Sequence, residues 1–135
     1  MKKAFVDTNV ILDYLLDRDG ADFSQQLLER ATRKELFIGF SFLSVANTAY
    51  VLRHKYTKES VNRIIADLCD CMHILSMDEF QLSKALANPI RDFEDNLQYQ
   101  CAKAHGFTTI ITRNIKDFPF SDINVITPKE AIGFD

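Results

Sequence analysis

Residues 2–16 read KKAFVDTNVILDYLL. A short apolar run, Ala4, Phe5 and Val6, stops at Asp7, Thr8 and Asn9. It resumes with helical spacing that puts Val10, Ile11, Tyr14 and Leu15 on one face. This is the signature of a buried strand that turns directly into a helix, with a carboxylate at the turn. In open parallel sheets the carboxyl edge of the strands is where ligands bind. A buried, unpaired Asp is costly, so the position requires hydrogen bonds, solvent or a metal ion. Thr8 and Asn9 supply short polar groups that can cap the following helix, and alone the tripeptide reads as nothing more than an N-cap.

Working outward, the same alternation repeats. Residues 17–20 (DRDG) form a turn. A helix is expected over 21–35, with Phe23, Leu27, Leu28 and Ala31 at helical spacing, and a buried strand over 36–42. Helices follow over 44–56 and 57–71, the second opened by the capping signal T-K-E-S. A short strand is expected at 73–77, then a helix from Asp78 that Pro89 stops. The next helix spans 92–105 and is closed by Gly106. FTTIIT, residues 107–112, is the clearest β-branched strand. A turn-rich link over 113–120 leads to a last strand at 124–127 and a helix over 128–132 with Pro in its first turn. Strands alternate with helices and no hairpin signal intervenes, which predicts a parallel sheet covered on both faces. No repeat, low-complexity tract or linker divides the chain, so residues 1–135 are expected to form one domain.

The 135 residues suffice for a real hydrophobic core. With 47% hydrophobic and 26% charged residues the chain is globular rather than disordered. No apolar run is long enough to span a membrane and no secretory signal precedes Asp7. The three cysteines, Cys69, Cys71 and Cys101, lack a CxxC pair and fit a reduced, cytoplasmic protein. Cys69, Cys71 and His73 form a C-x-C-x-H tract without the fourth ligand that a structural zinc site needs. A net charge of −3 gives no global attraction to nucleic acid, so phosphate binding must come from local basic groups or metal ions.

Three further segments carry polar groups that can meet Asp7. In the helix over 92–105, Phe93, Leu97, Cys101 and Ala104 make an apolar stripe, while Asp92, Asp95, Asn96 and Tyr99 gather on another side. D-x-x-D at a helix start also serves as a capping pair. Thr112, Asn114 and Asp117 in TRNIKD leave the carboxyl end of a strand as Asp7 does, though turns favour the same residues. Asn47 lies with Leu43, Tyr50 and Val51 on an apolar side of its helix, where a buried amide needs partners. Carboxylates converging at one sheet edge repel one another unless a positive charge intervenes. Only Arg113 and Lys116 fall inside these motifs. A divalent cation resolves the conflict: Mg²⁺ and Mn²⁺ take carboxylate oxygens, generate hydroxide near neutral pH and stabilise a leaving phosphodiester oxygen.

At this point the chain resembles the PIN-domain ribonucleases, in particular the VapC-like toxins of type II toxin–antitoxin pairs. The resemblance runs through FVDTNVILDYL, SFLSVANTAYVLRHK, DFEDNLQYQCAKAHG and TTIITRNIKDF, and covers essentially the whole chain. It implies a three-layer α/β/α sandwich around a short parallel sheet, with acidic residues around Mg²⁺ or Mn²⁺. It also implies cleavage of single-stranded RNA to leave a 5′-phosphate, a small antitoxin protein as partner, and a homodimer. Carried over, Asp7 and Asp95 are metal ligands, and Asn114 and Asp117 supply the last acidic or polar position. Thr112 orients a ligand or water, and Asp92, Thr8 and Asn9 support the site. The chain departs from the family pattern at Asn47, where many members carry Glu; an amide adds no charge and cannot act as a base.

RNA contact falls to Arg113 and Lys116 and to a basic zone that includes Arg53, His54, Lys55, Lys58 and Arg63. Tyr99 or Phe118 could stack on exposed bases. A phosphatase of the haloacid-dehalogenase type would need a second Asp where Asn9 stands, and a response-regulator receiver would need a phosphoacceptor that HILSM does not provide. The alternative that Asn47 favours is a catalytically degenerate PIN-like domain that binds RNA or a partner protein without cutting.

Overall fold

The computed structural model describes residues 2–133; the remaining ends of the expected domain, residues 1, 134 and 135, lie outside the described residues. The opening strand is β1 (Lys2–Val6), followed by α1 (Thr8–Leu15) and α2 (Ala21–Thr32). Then come β2 (Leu36–Ser41), α3 (Phe42–Leu52), α4 (Lys58–Cys71) and β3 (His73–Leu75). The chain continues through α5 (Glu79–Ala87), α6 (Phe93–Ala104), β4 (Thr109–Ile111), a 3-10 turn (Ile115–Asp117), β5 (Asn124–Ile126) and α7 (Pro128–Ile132). The strands form one sheet in the order β3-β2-β1-β4-β5, and every neighbouring pair is parallel.

The pleat divides the apolar residues between two cores. Ala4 and Val6 of β1, Ile38 and Phe40 of β2, and Ile111 of β4 pack with residues of α1, α2, α4 and α7. Phe5, Leu75 and Ile110 face the other way, against Tyr99, Cys101 and Ala102 of α6 and against Phe107, Phe118 and Ile123. Helices on both faces of a parallel sheet make the expected three-layer α/β/α sandwich. Gly39 sits in close packing: a Cβ there would stand 2.9 Å from Leu75 Cδ1 and closer still to Phe107 Cζ, so one of these side chains would have to shift. Gly106, at φ +77°, follows α6 in the left-handed conformation that glycine favours. Among the described residues no helix is long and apolar enough to cross a membrane.

Several boundaries differ from the periodicity reading. α3 begins at Phe42 rather than residue 44, because Ser41 closes β2 and caps the helix by accepting the Ser44 N–H at 3.0 Å. Tyr14, expected on the buried face of α1, is 39% exposed; the buried face instead contains Asp13.

Candidate active site

The order 3-2-1-4-5 places the reversal of the chain between β1 and β4, and in open α/β sheets the ligand-binding crevice lies there, at the carboxyl ends of the strands. Asp7 and Thr112 flank it. Asp7 continues the ladder by donating its N–H to the Ile111 carbonyl at 3.0 Å. Its side chain is 6% exposed and is doubly held: Oδ1 accepts from the Thr8 N–H at 2.9 Å and Oδ2 from the Thr112 hydroxyl at 3.1 Å. Thr112 Oγ1 in turn accepts the Asn114 N–H at 3.2 Å, tying the β4 exit loop to Asp7. Burial pushes the Asp7 carboxyl up to about 6, against the lowering effect of these hydrogen bonds.

Asp7 is itself the N-cap of α1, so the capping expected of Thr8 and Asn9 does not occur. Thr8 already lies inside the helix, and its buried hydroxyl faces Ser44 at 2.6 Å. Asn9 is half-buried beside it.

Across the crevice, α6 opens with Asp92 as its N-cap, accepting the Asp95 N–H at 3.0 Å. Capping therefore accounts for the Asp92 carboxylate and not for Asp95. Among the described residues nothing donates to the half-buried Asp95 carboxylate, which is pushed up to about 7. Burial is the largest cause, followed by the negative charges of Asp7, Asp92, Asp117 and Glu94. Asp7, Asp95 and Asp117, from three distant segments, thus lie within one electrostatic neighbourhood. Asp117 ends the 3-10 turn with its N–H on the Asn114 carbonyl at 3.0 Å, and Asn114 is exposed. The side chains are not closed around a common point: among the described residues no three acidic, histidine or cysteine side chains are close enough together to hold a cation as they stand.

Asn47 is half-buried on α3, and its Nδ2 donates to Glu94 Oε1 at 2.7 Å. The amide thereby holds a carboxylate of α6 that the sequence reading passed over. The signal was Glu94's place beside Asp95 in the first turn of α6. Burial and the nearby Asp92 charge push the Glu94 carboxyl up, and its charge raises Asp7 in turn.

Other expected partners go elsewhere. Asn96 is buried and donates to the Ala85 and Asn88 carbonyls at 3.0 Å each, fastening α6 to the end of α5. Tyr99 is buried, stacks on Phe120 with ring centroids 3.5 Å apart and donates to Asp122; Phe118 is also buried. Neither ring offers a free face to a nucleobase. Arg113 donates through Nη1 to the buried Asp13 at 2.7 Å, which fixes its guanidinium near Asp7. Arg53 is exposed, 4.1 Å over the Tyr50 ring, and Lys116 is exposed beside Asp117.

A parallel three-layer sandwich with carboxylates at its switch point is the arrangement of a PIN domain. A sequence profile of the PIN domain family matches residues 3–116, and the chain belongs to that family. In particular, it is similar to Ribonuclease VapC1 of Aquifex aeolicus (strain VF5), 29% identical over 137 residues covering 96% of this chain and 92% of the relative. Its fold matches a chain of VapBC from Salmonella typhimurium with a TM-score of 0.68 at 16% identity, covering 95% of this chain and 99% of that one. VapBC-1 of nontypeable Haemophilus influenzae also gives 0.68, at 20% identity over 94% and 98%. VapBC2 of Rickettsia felis gives 0.67, at 18% over 93% and 98%.

Proposed function

We propose that this protein is a Mg²⁺- or Mn²⁺-dependent ribonuclease that cleaves single-stranded RNA as the toxin of a toxin–antitoxin pair. The observation that carries the reading is the mutual repulsion at the sheet's switch point, where Asp95 stands without a donor among the charges of Asp7, Asp92, Asp117 and Glu94. Family membership and the likeness to Ribonuclease VapC1 support it.

The donor set fits a hard divalent cation, being carboxylate oxygens from rigid element ends. Asp7, Asp95 and Asp117 would hold it, and Glu94, steadied by Asn47, restores the charge that Asn47 itself does not bring. When bound, such an ion supplies a nucleophilic water near neutral pH and offsets charge on the leaving oxygen. The chain's own residues prepare the site. Thr112 fixes the Asp7 carboxylate from one side and the β1–α1 junction fixes it from the other. Asp92 organises the first turn of α6, so that Asp95 faces the crevice. Arg113, held by Asp13, and Lys116 attract the RNA phosphates, with Arg53 extending the path. In toxin–antitoxin terms, a small antitoxin is the partner and a homodimer the working assembly.

Binding without cleavage is the second reading, favoured by the neutral Asn47. Incubating the protein with single-stranded RNA and Mn²⁺ or Mg²⁺ separates the two. Cleavage that leaves 5′-phosphate ends and is lost in Asp7→Asn and Asp95→Asn is the expected result. RNA that is retained but never cut, by wild type and variants alike, would establish the binding module.

A further inference from the structure

Between the two sides of the crevice lies a buried cluster of uncharged polar side chains: Thr8 of α1, Ser41 at the end of β2, Ser44 of α3 and Gln98 of α6. Gln98 is fully buried. Its Nε2 faces Ser44 Oγ at 2.9 Å and Thr8 Oγ1 at 3.4 Å, and its Oε1 accepts from Ser41 Oγ at 2.7 Å. Ser41 and Ser44 hydroxyls lie 3.1 Å apart, and Ser44 and Thr8 hydroxyls 2.6 Å apart. The amide gives its protons to Thr8 and Ser44, the Ser41 hydroxyl donates to the Gln98 carbonyl, and the Thr8 and Ser44 hydroxyls share a proton between them.

We propose that Gln98 is the positioning residue of the acidic site, locking α6 against the carboxyl ends of β1 and β2 and so setting where Asp95 stands relative to Asp7. The inference rests on the metal-dependent reading above. Gln98 lies one helical turn beyond Asp95 on the same side of α6. Thr8 is joined to Asp7 through the peptide bond and caps nothing. The path Asp95–Gln98–Thr8–Asp7 is therefore a direct mechanical link between two carboxylates that repel each other. Apolar packing is non-directional and would let α6 slide away under that repulsion. Directed hydrogen bonds at both ends of the Gln98 amide resist the slide, and a buried amide is tolerated only when it is so bonded. Filling space alone would be met by Leu or Met at this position.

The test is a calorimetric Mn²⁺ titration of the whole chain, with melting temperature measured in parallel for wild type, Gln98→Met, Ser44→Ala, Asp95→Asn and Leu27→Ala. Leu27 belongs to the core on the face of the sheet away from α6, so its truncation lowers stability without touching the network. Gln98→Met is expected to weaken Mn²⁺ binding about tenfold or more, the usual cost of losing a residue that orients a metal ligand. Ser44→Ala, which removes the 2.9 Å acceptor of Gln98 Nε2 and leaves the Ser41 cap of α3 in place, should weaken it in the same direction by less. Leu27→Ala should lose as much melting temperature with unchanged affinity. If Gln98→Met does not fold, Ser44→Ala against Leu27→Ala decides the matter. Wild-type affinity in both network variants, with Asp95→Asn impaired, overturns the positioning role alone. Absence of Mn²⁺ binding by the wild type overturns the metal-dependent reading and this inference with it.

Discussion

Asp95 carries the conflict on which the site is built. Its carboxyl is raised to about 7 and that of Asp7 to about 6, from an ordinary value of 3.8. Between about pH 4 and the raised values, the folded chain binds more protons at these positions than the unfolded chain. Stability of the metal-free protein therefore falls as pH rises through that window. Replacing Asp95 by Asn removes one of the repelling charges. Asp95→Asn is expected to melt higher than wild type at pH 7.5 without metal, and to lose that advantage near pH 4; thermal scans at the two pH values check this. A variant less stable than wild type at pH 7.5 would mean that the carboxylate is locally compensated. At this scale the sequence was partly legible. Asp7, Asp95 and Asp117 stand out as acids at element ends, whereas Glu94 and Asp13 do not. Glu94 reads as a solvated first-turn acid until α3 brings Asn47 to it, and Asp13 is hidden on a helix whose Arg113 partner is 100 residues away.

At the scale of elements, the helix expected over residues 92–105 forms as α6, Phe93–Ala104, yet the face it buries is not its apolar stripe. Periodicity weighs apolar residues and therefore points to Phe93, Leu97, Cys101 and Ala104 as the stripe. Phe93 and Ala104 are exposed, while Asn96, Gln98 and Gln100 are buried. Asn96 through its Nδ2 and Gln98 through both ends of its amide find partners at the end of α5 and on β2, α3 and α1, which no local pattern reveals. For a short apolar run such as LFIGFS, periodicity alone does not separate strand from buried helix; its length and aromatic and β-branched residues mark it as a strand. Within it Gly39 makes room for Phe107 and Leu75. Gly39→Ala should overpack this contact and cost about 1–3 kcal/mol in urea unfolding. An unchanged midpoint would show that Phe107 moves aside freely.

For the whole molecule, the alternation of strands and helices sufficed to predict a parallel sheet between two helical layers, but not the strand order. That order, β3-β2-β1-β4-β5, is what sets Thr112 beside Asp7 across 105 residues. It follows from the long-range fit of two cores, to which Ala4 and Val6 contribute on one face and Phe5 on the other. The acids are consequently close enough to repel, and a bound cation would relieve that repulsion. The decisive measurement is Mn²⁺ affinity of the wild type and of Asp7→Asn, Asp95→Asn and Asp117→Asn, titrated calorimetrically at pH 7.5. Saturable binding by the wild type, weakened in each of the three variants, is the predicted result. No binding, or binding that is indifferent to all three substitutions, would contradict a shared cation site at the switch point.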